Sequence, residues 1–482
     1  MPDQSMRRTD MNMIKPLAAA ITLAMASGAY AAGNTATTSQ TGSGNTATTT
    51  QSNTDFNSAD VTQNGDNNLA DVLQTNSSDP QTAVVDTTGN DNAATISQNS
   101  SSSVSGAITQ QGDSNVADID QDSAEGNLFS SSATIDQVGG SSGSQASISQ
   151  DSTYAADAAI SQVGGSSNTA TVDQELDAFV DATITQTDST GSDATISQGL
   201  AAVADAEITQ TNMLNGSATI TQTVDAFSTA TVTQSNGIGS VATIDQVLGG
   251  GLTATVQQDD SWFADADIDQ SGLDHTASIS QNNVSDAATA TIDQSGLSHQ
   301  ASISQNMSWL SDALVIQTGS NNSAMVDQDE SHSSDATVLQ SGSDQLAMVD
   351  QGLGDRNSAT VTQTGSANET EVDQSGSDNL ATVDQSASGN YAQAHSHGGN
   401  GVIDIDQTAD GNYAQVEQTA PAEYGIATIT QSGADNWAYI EQSGVGAFGN
   451  ENVATILQSS TMDTASIYQA GGGGNNALIN QN

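Results

Sequence analysis

The chain has 482 residues, of which 57 are Asp or Glu and only 4 are Lys or Arg, giving a formal net charge of −53. So few cations exclude binding to nucleic acid phosphates, the lack of Cys excludes disulfides, and no apolar run reaches the roughly 18 residues of a membrane-spanning helix. With 35% hydrophobic and 3% aromatic residues, the composition first suggests disorder.

The N-terminal segment has the three parts of a secretory signal peptide. Three cations precede an apolar run over residues 17–25, and residues 29–31 (Ala-Tyr-Ala) form a cleavage site. We therefore predict a signal peptide over residues 1–31 and an exported mature chain over residues 32–482. Cleavage would leave Arg356 as the only cation of the exported chain.

From residue 36 onward a pentad, Ala-x-(Ile/Val)-x-Gln, recurs about every 12 residues, and this periodicity argues against disorder. Its last position, called the anchor below, occurs 38 times; 36 anchors are Gln, and Asp86 and Ser396 occupy the other two. Residues at alternate positions share one face of a β-strand. Each pentad therefore predicts a short strand with Ala, Ile/Val and Gln facing inward and Thr, Ser or Asp facing outward.

The segments between pentads, called arcs below, are of two kinds that alternate over much of the chain. One kind reads Gln-x-Gly-x-x-Asn before the next pentad, with His275 and His299 replacing Asn in two copies; the other is longer and carries a bulky residue, such as Phe179 or Phe227. Gly permits positive φ and Asn bonds the backbone of tight turns. The Gly and Asn residues of the six complete copies are predicted turn residues: Gly42, Asn45, Gly65, Asn68, Gly112, Asn115, Gly319, Asn322, Gly376, Asn379, Gly433 and Asn436.

Two strands and two arcs make a structural repeat of about 23–24 residues. We therefore predict an all-β fold, a two-sheet stacked β-solenoid of about 19 coils, in which each strand pairs with its counterpart in the next coil in a cross-β, amyloid-like arrangement. At about 4.8 Å per coil, the rod would be roughly 90 Å long. The alternation of arcs slips near residues 234–258 and after residue 340.

The inward glutamines predict how a thin interior can hold polar side chains. A buried amide costs free energy unless it is hydrogen-bonded, and stacked glutamines can bond one another along the axis. We predict such a ladder for the anchors of the complete copies: Gln40, Gln51, Gln63, Gln74, Gln110, Gln121, Gln317, Gln328, Gln374, Gln385, Gln431 and Gln442. End coils without a cap expose unpaired strands, which predicts end-to-end self-assembly.

The unit Gln-x-Gly-x-x-Asn-x-Ala-x-x-x-Gln resembles the curlin repeat of bacterial curli, which are extracellular functional amyloid fibres. The six complete copies carry the resemblance, and partial copies extend it over residues 34–482. It implies a secreted structural subunit of cell-surface fibres that serve adhesion and biofilm structure. It also implies export through an outer-membrane pore and a nucleator subunit as a partner. The sequence contains no catalytic constellation, so we predict no enzyme, catalytic residue or cofactor.

A second interpretation stays open: a monomeric β-solenoid adhesin, or a calcium- or ice-binding surface protein. Asp or Glu directly precedes the anchor at 13 sites, and outward carboxylates can bind divalent cations, although we favour a solvated acidic face. Pairs such as Thr219 and Thr221 occur in ice-binding solenoids, but Asp and Ser interrupt them here. The sequence His395-Ser396-His397 has the spacing of a metal clamp, and we interpret it as a polar loop.

Overall fold

A computed structural model describes residues 21–23, 33–77, 79–123, 131–284, 287–419 and 423–482. The described residues form 39 β-strands and no helix, which confirms the all-β prediction. Because this part of the chain has no helix, it contains no helical membrane span. The predicted signal peptide lies outside the described residues except for Ile21–Leu23, so cleavage after residue 31 stays a prediction.

The odd-numbered strands form one parallel sheet, called sheet A. Its strands are β1 Ile21–Leu23, β3 Thr46–Ser52, β5 Leu69–Thr75, β7 Ala93–Asn99, β9 Val116–Asp122, β11 Gln145–Asp151, β13 Thr169–Glu175, β15 Asp193–Gly199, β17 Ser217–Thr223, β19 Val241–Val247, β21 Asp265–Leu273, β23 Thr289–Leu297, β25 Asp312–Ser320, β27 Asp335–Ser343, β29 Ser358–Ser366, β31 Leu380–Gln385, β33 Val402–Gln407, β35 Gly425–Gln431, β37 Asn452–Gln458 and β39 Asn476–Gln481.

The even-numbered strands form a second parallel sheet, called sheet B. Its strands are β2 Thr35–Thr41, β4 Ser58–Asn64, β6 Thr82–Thr88, β8 Val104–Asp113, β10 Ser131–Ser142, β12 Asp157–Val163, β14 Asp181–Thr187, β16 Asp205–Thr211, β18 Thr229–Ser235, β20 Thr253–Asp259, β22 Thr276–Asn282, β24 Gln300–Asn306, β26 Ser323–His332, β28 Leu346–Asp355, β30 Glu369–Ser375, β32 Tyr391–Ser396, β34 Tyr413–Gln418, β36 Trp437–Gln442 and β38 Thr464–Gln469.

From β2 to β39 each coil contains one strand of sheet B, a first arc, one strand of sheet A and a second arc, which gives 19 coils. Each strand pairs in parallel with the equivalent strand of the next coil, so that like residues stack. For example, Ala194 pairs with Ala218 and Gln198 with Gln222. The predicted two-sheet β-solenoid is therefore confirmed.

The core is one continuous cluster of small and β-branched side chains between the two sheets. It consists of the pentad Ala and Ile/Val residues and runs from Ala47 to Ile467, nearly all of them fully buried. In β17 the burial alternates residue by residue, with Ala218, Ile220 and Gln222 inside. β-Branched residues suit this pleated setting, and stacking identical side chains fills the interior without aromatic residues.

The register of β6 corrects one predicted anchor. Gln63 pairs with Thr87 and Ala59 with Ala83, so Thr87 is the buried anchor, and Asp86 faces solvent. The arc before β6 has one residue more than the arc before β4, and a one-residue shift in a strand turns every side chain to the opposite face. The prediction for Asp86 was therefore wrong, whereas Ser396 is inward and pairs with Gln374.

The slip in arc alternation marks an exchange between the two arcs of a coil. In the N-terminal coils the Gly/Asn-rich arc is the first arc, as at Asn115, and the bulky arc is the second, as at Phe227. Beyond residue 248 the second arc becomes Gly-rich, as at His275, and the first arc carries bulky residues such as Trp309. Strand pairing continues in register through the exchange, so the solenoid is not interrupted.

Candidate assembly surfaces: the glutamine ladders and the solenoid ends

Sheet A contains an unbroken ladder of inward-facing glutamines, one in each coil from Gln51 to Gln481, and all but these two end residues are buried. Each donates from Nε2 to Oε1 of the glutamine in the next coil over 2.8–3.0 Å. The second Nε2 proton bonds a backbone carbonyl of sheet B, as from Gln74 to Ser58 at 3.2 Å. Interior amides of this ladder therefore use both donors and accept one bond, which offsets their desolvation.

Sheet B carries the equivalent ladder with two interruptions, at Thr87 and Ser396. The Ser396 hydroxyl lies 3.1 Å from Oε1 of Gln418 and can replace the missing amide donor. Thr87 has no such contact, and within the described chain Oε1 of Gln110 is buried without a hydrogen-bond partner. The ladder therefore tolerates a substitute anchor, but at Thr87 it leaves one acceptor unsatisfied.

The structure divides the predicted ladder residues equally between the two sheets. Those in sheet A are Gln51, Gln74, Gln121, Gln317, Gln385 and Gln431, and those in sheet B are Gln40, Gln63, Gln110, Gln328, Gln374 and Gln442. In every glutamine pair the donor belongs to the coil nearer the N-terminus, as from Gln40 to Gln63 at 2.7 Å and from Gln442 to Gln469 at 2.8 Å. The ladders therefore have a direction, which the sequence did not reveal.

The Asn residues of the Gly/Asn-rich arcs join neighbouring coils. Oδ1 of Asn45 accepts the backbone N–H of Asn68 at 2.9 Å, and Nδ2 of Asn45 donates to the Gly65 carbonyl at 2.8 Å. Asn68 makes the same two bonds to Asn92 and Gly89. The sequence predicted turn residues that bond their own arc, whereas these bonds mainly link each arc to the next coil.

The predicted turn glycines lie where neighbouring arcs approach most closely. At Gly65 φ is 129°, and a Cβ there would lie 1.9 Å from the Gly89 carbonyl oxygen. No side chain fits so close to a backbone oxygen, so this position requires glycine. The same crowding by the next arc occurs at Gly42, Gly112, Gly319, Gly376 and Gly433.

In two successive second arcs, a histidine takes the position that Asn occupies in most other Gly/Asn-rich arcs. His275 and His299 are buried and stack with ring centroids 4.9 Å apart. Nδ1 of His275 accepts the backbone N–H of His299 at 3.1 Å, and Nδ1 of His299 accepts that of Asn322 at 3.2 Å. Burial lowers the pKa of both rings, and the acceptor role of Nδ1 requires neutral imidazoles. Asn322 continues the row by accepting the N–H of Gln345.

Two later predicted turn residues also accept or donate hydrogen bonds along a row of asparagines. Asn379 donates its backbone N–H to Oδ1 of Asn357 at 3.1 Å, in the first arc. Asn436 donates to Oδ1 of Asn412 at 2.9 Å, in the second arc. Asparagine rows therefore run on both sides of the C-terminal part of the solenoid.

Outward carboxylates stack along the strands with little compensating charge. Asp181 pairs in register with Asp157 and Asp205, and its pKa is raised first by burial and then by these two neighbours. Arg356 forms a bidentate ion pair with Asp378, with N–O distances of 2.6 and 2.7 Å. Within the described ranges no three His, Asp or Glu side chains converge as metal ligands do.

The segment His395-Ser396-His397 is not the polar loop that its sequence predicted. Residues 391–396 form β32, so Ser396 faces the interior while His395 lies on the outer face, 3.7 Å from Glu371. Nδ1 of His397 lies 2.8 Å from the Ser375 hydroxyl. The repeat had already placed Ser396 at an anchor, and the strand agrees with that placement, with Ala394 and Ser396 in the positions of Ile/Val and Gln.

The two ends of the solenoid have unpaired strand edges. At the C-terminal end β38 pairs only with β36, and β39 only with β37. At the N-terminal end β2 pairs only with β4, while β3 pairs with β5 and with the short strand β1. These statements concern the described strands. Edges of this kind can each accept another parallel strand.

Stacked coils with like residues in register define a β-solenoid repeat protein. The sequence model of the curlin associated repeat matches residues 55–99, 332–365 and 365–398. These three regions therefore contain the curlin associated repeat, and the resemblance drawn from the sequence is confirmed there. A comparison with curated proteins finds no match.

Proposed function

We propose that this protein is a secreted structural subunit that forms curli-like extracellular fibres by adding copies end to end. The observation that carries the proposal is the complementarity of the two solenoid ends. In the last coil Gln469 and Gln481 accept from the coil before and donate one Nε2 proton to a backbone carbonyl, which leaves the other proton for a further coil. In the first coil Gln40 and Gln51 donate to the next coil, which leaves Oε1 of each as the acceptor for a preceding coil. A contact between two different ends repeats without closing and produces a filament.

Strand β1 occupies an edge that end-to-end growth would need. Ile21–Leu23 pairs with Thr46–Ser52 at the N-terminal edge of sheet A, and it lies within the predicted signal peptide. Cleavage after residue 31 would remove β1 and leave β3 open to β39 of another copy. We propose that the mature chain, residues 32–482, is the form that assembles.

The curlin repeats support the biological setting of the proposal. A subunit of this kind would be exported through an outer-membrane pore, would start its growth on a nucleator subunit, and would form cell-surface fibres for adhesion and biofilm matrix. The proposal assigns no enzymatic activity, cofactor, nucleic acid or membrane span to the chain.

A matched pair of substitutions in the last strand tests end-to-end growth. Ile479 packs partly buried against the core, whereas its neighbour Leu478 is 64% exposed on the outer face. Ile479→Lys would bury a charge at each junction and should block growth of thioflavin-binding fibres with a 4.7–4.8 Å reflection. Leu478→Lys should grow at nearly the parent rate, since its charge stays in water.

Equal growth of both variants would contradict docking through the last coil. A mature chain that stays monomeric in salt and at mildly acidic pH would instead favour the alternative of a solenoid adhesin or a calcium- or ice-binding surface protein. Assays for calcium binding and for ice binding by that monomer would then distinguish a calcium- or ice-binding protein from an adhesin.

A further inference from the structure

An unusual row of backbone conformations runs along the second arcs of the first nine coils. The residue two places after the sheet A anchor has φ between 52° and 58° in every coil. The row reads Asn53, Asn76, Ser100, Ser123, Ser152, Leu176, Leu200, Val224 and Leu248. Five coils thus use Asn or Ser, and the next four use large apolar residues at the same backbone geometry.

Large apolar residues are energetically unfavourable in this left-handed backbone conformation. Left-handed φ is tolerated by Asn but strains leucine and especially β-branched valine. Asn53 and Ser152 adopt it in the same row, so the fold does not need Leu200 or Val224 there. Strain that the fold does not require is a reason to look for a function.

A second apolar row lies beside the first, three residues further along each arc. Phe179, Val203 and Phe227 have φ of 57–60°. Together the two rows form an exposed surface, the apolar ridge, with exposures from 43% at Val224 to 72% at Phe227. The ridge consists of Leu176, Phe179, Leu200, Val203, Val224, Phe227 and Leu248.

The ridge is also a gap in the acidic surface. Residues 176–180, 200–204, 224–228 and 248–252 contain only two carboxylates, Asp177 and Asp225. Both are turned inward and only 2% and 3% exposed. With a chain net charge of −53, two copies repel each other, and the ridge segments add no exposed carboxylate to this repulsion, although Glu175, Asp181 and Asp205 flank them.

We propose that the apolar ridge is the lateral contact between filaments, with the ridge of a second copy of this chain as its partner. The inference rests on the proposed end-to-end assembly. Two ridges laid side by side in opposite directions form a self-complementary contact. Both have side chains at the same coil spacing, so they can interdigitate in a dry interface.

The size of the ridge explains why filaments, and not monomers, would pair. Seven half-exposed side chains offer on the order of 500 Å² per copy, less than the roughly 800 Å² per partner of a stable interface. A filament repeats the ridge once per subunit, so many weak contacts act together. Monomers should therefore stay apart while filaments bundle.

Substitution by Asn separates association from folding. Leu200→Asn, Val224→Asn and Phe227→Asn together remove three of the seven apolar side chains of the ridge. Asn already adopts the required φ at Asn53 and Asn76, in the row of Leu200 and Val224, and at Asn215, which follows its anchor by five residues as Phe227 does.

The matched control is Phe263→Asn, Leu310→Asn and Leu353→Asn, three exposed residues with φ of 54°, 52° and 48°. Phe263 and Leu310 lie in first arcs, and Leu353 lies near the end of β28, just before a first arc. We expect the ridge variant to elongate within two-fold of the parent rate, while bundled filaments in electron micrographs fall at least five-fold. The control should bundle like the parent.

Undiminished bundling of the ridge variant, or an equal loss in the control, would overturn the proposal. So would single parent filaments that bind phosphatidylcholine vesicles through the ridge, since lipid would then be the partner. Absence of filaments from the parent chain would contradict end-to-end assembly, and filaments that never bundle would contradict the lateral contact alone.

If the ridge variant fails to form filaments, cross-linking of single-Cys variants tests the lateral contact instead. The chain has no Cys, so Leu200→Cys and the control Asn321→Cys each introduce one thiol. End-to-end neighbours place these thiols roughly 90 Å apart at about 4.8 Å per coil, so only a lateral contact can join them. We expect a bismaleimide to dimerise filaments of Leu200→Cys and not of Asn321→Cys; equal or absent cross-linking would overturn the proposal.

Discussion

Gln458 donates from Nε2 to Oε1 of Gln481 over 2.8 Å, and this bond is the last of eighteen in sheet A that all point the same way. Every amide donates its hydrogen bond towards the C-terminus. The N-terminal end of the ladder is therefore left with an acceptor, and the C-terminal end with a donor. A filament built by continuing the ladder would be polar, and its two ends would grow through different surfaces.

Completing the sheet B ladder should stabilise the coils around β6. Thr87→Gln introduces an amide between Gln63 and Gln110, where Oε1 of Gln110 is buried without a partner. Satisfying a buried acceptor is worth about 1–3 kcal/mol. We expect amide hydrogen exchange in β8 to slow accordingly. Thr88→Gln, at the exposed residue next to Thr87, should leave exchange in β8 unchanged. Equal slowing in both variants would contradict the conclusion that the unsatisfied Oε1 of Gln110 destabilises these coils.

The histidine pair should make its coils sensitive to acid. Burial lowers the pKa of His275 and His299 in the folded chain, with the Asp274 charge opposing this effect at His275 and the His275 charge adding to it at His299. The unfolded chain binds protons below about pH 6.5. Stability is therefore constant above that pH and falls as the pH decreases below it.

The backbone amides of His299 and Asn322 report this effect directly, because both donate to an imidazole Nδ1. Their exchange protection should fall between pH 7 and pH 5. Replacing both rings, with His275→Asn and His299→Asn, restores the usual residue of the row and should leave protection flat over this range. Protection in the parent that does not change would contradict the neutral-ring arrangement.

Asp177 should make the chain less stable as the pH rises, which is opposite to the effect of the histidine pair. Burial raises its pKa to about 7 despite the hydrogen bond from the Ala201 amide. The folded chain then binds a proton that the unfolded chain has lost, so stability is highest at low pH and falls as the pH rises from about 4 through about 7.

Asp177→Asn should remove this pH dependence and stabilise the chain at pH 8 by up to about 4 kcal/mol, since one pKa unit corresponds to about 1.4 kcal/mol. Local stability is measured by hydrogen exchange of the Ala201 amide and its neighbours. Asp188→Asn, at an exposed position of the first arc, is the control. A similar gain at Asp188 would show that net charge, and not burial, is responsible.

Salt should accelerate fibre growth. Like carboxylates stack one coil apart, as at Asp157, Asp181 and Asp205, well inside the Debye length of about 8 Å at physiological salt. Addition of a copy brings together two chains that each have a formal net charge of −53, although the strands at the junction, β38, β39, β2 and β3, contain no Asp or Glu themselves. We expect the elongation rate to rise with NaCl between about 0.01 and 0.3 M. A flat dependence would mean that repulsion does not limit growth.

The sequence predicted the repeating parts of the molecule and missed those that depend on context. Strict alternation of Ala, Ile/Val and Gln fixed the inward face of most strands, because only one register buries all three. At Asp86 the pattern misled, since an extra residue in the preceding arc moved the strand by one position and Thr87 became the anchor.

The assembly surfaces were less accessible to sequence reasoning. The direction of the amide ladder depends on side-chain rotamers, which the pattern of residue types does not encode. The apolar ridge was hidden because Leu176, Leu200, Val224 and Leu248 looked like ordinary arc residues; their left-handed φ, shared with Asn53 and Ser100, appears only in the folded chain. The row of such residues two places after each anchor is a signal that could have located the ridge.

A cryo-EM structure of fibres grown from residues 32–482 tests end-to-end stacking most directly. We expect β38 and β39 of one copy to pair in parallel with β2 and β3 of the next, one coil step away. Gln469 and Gln481 would then donate to Gln40 and Gln51 across the junction. Fibres whose copies meet through any other surface, or whose end strands are not in contact, would contradict this mode of assembly.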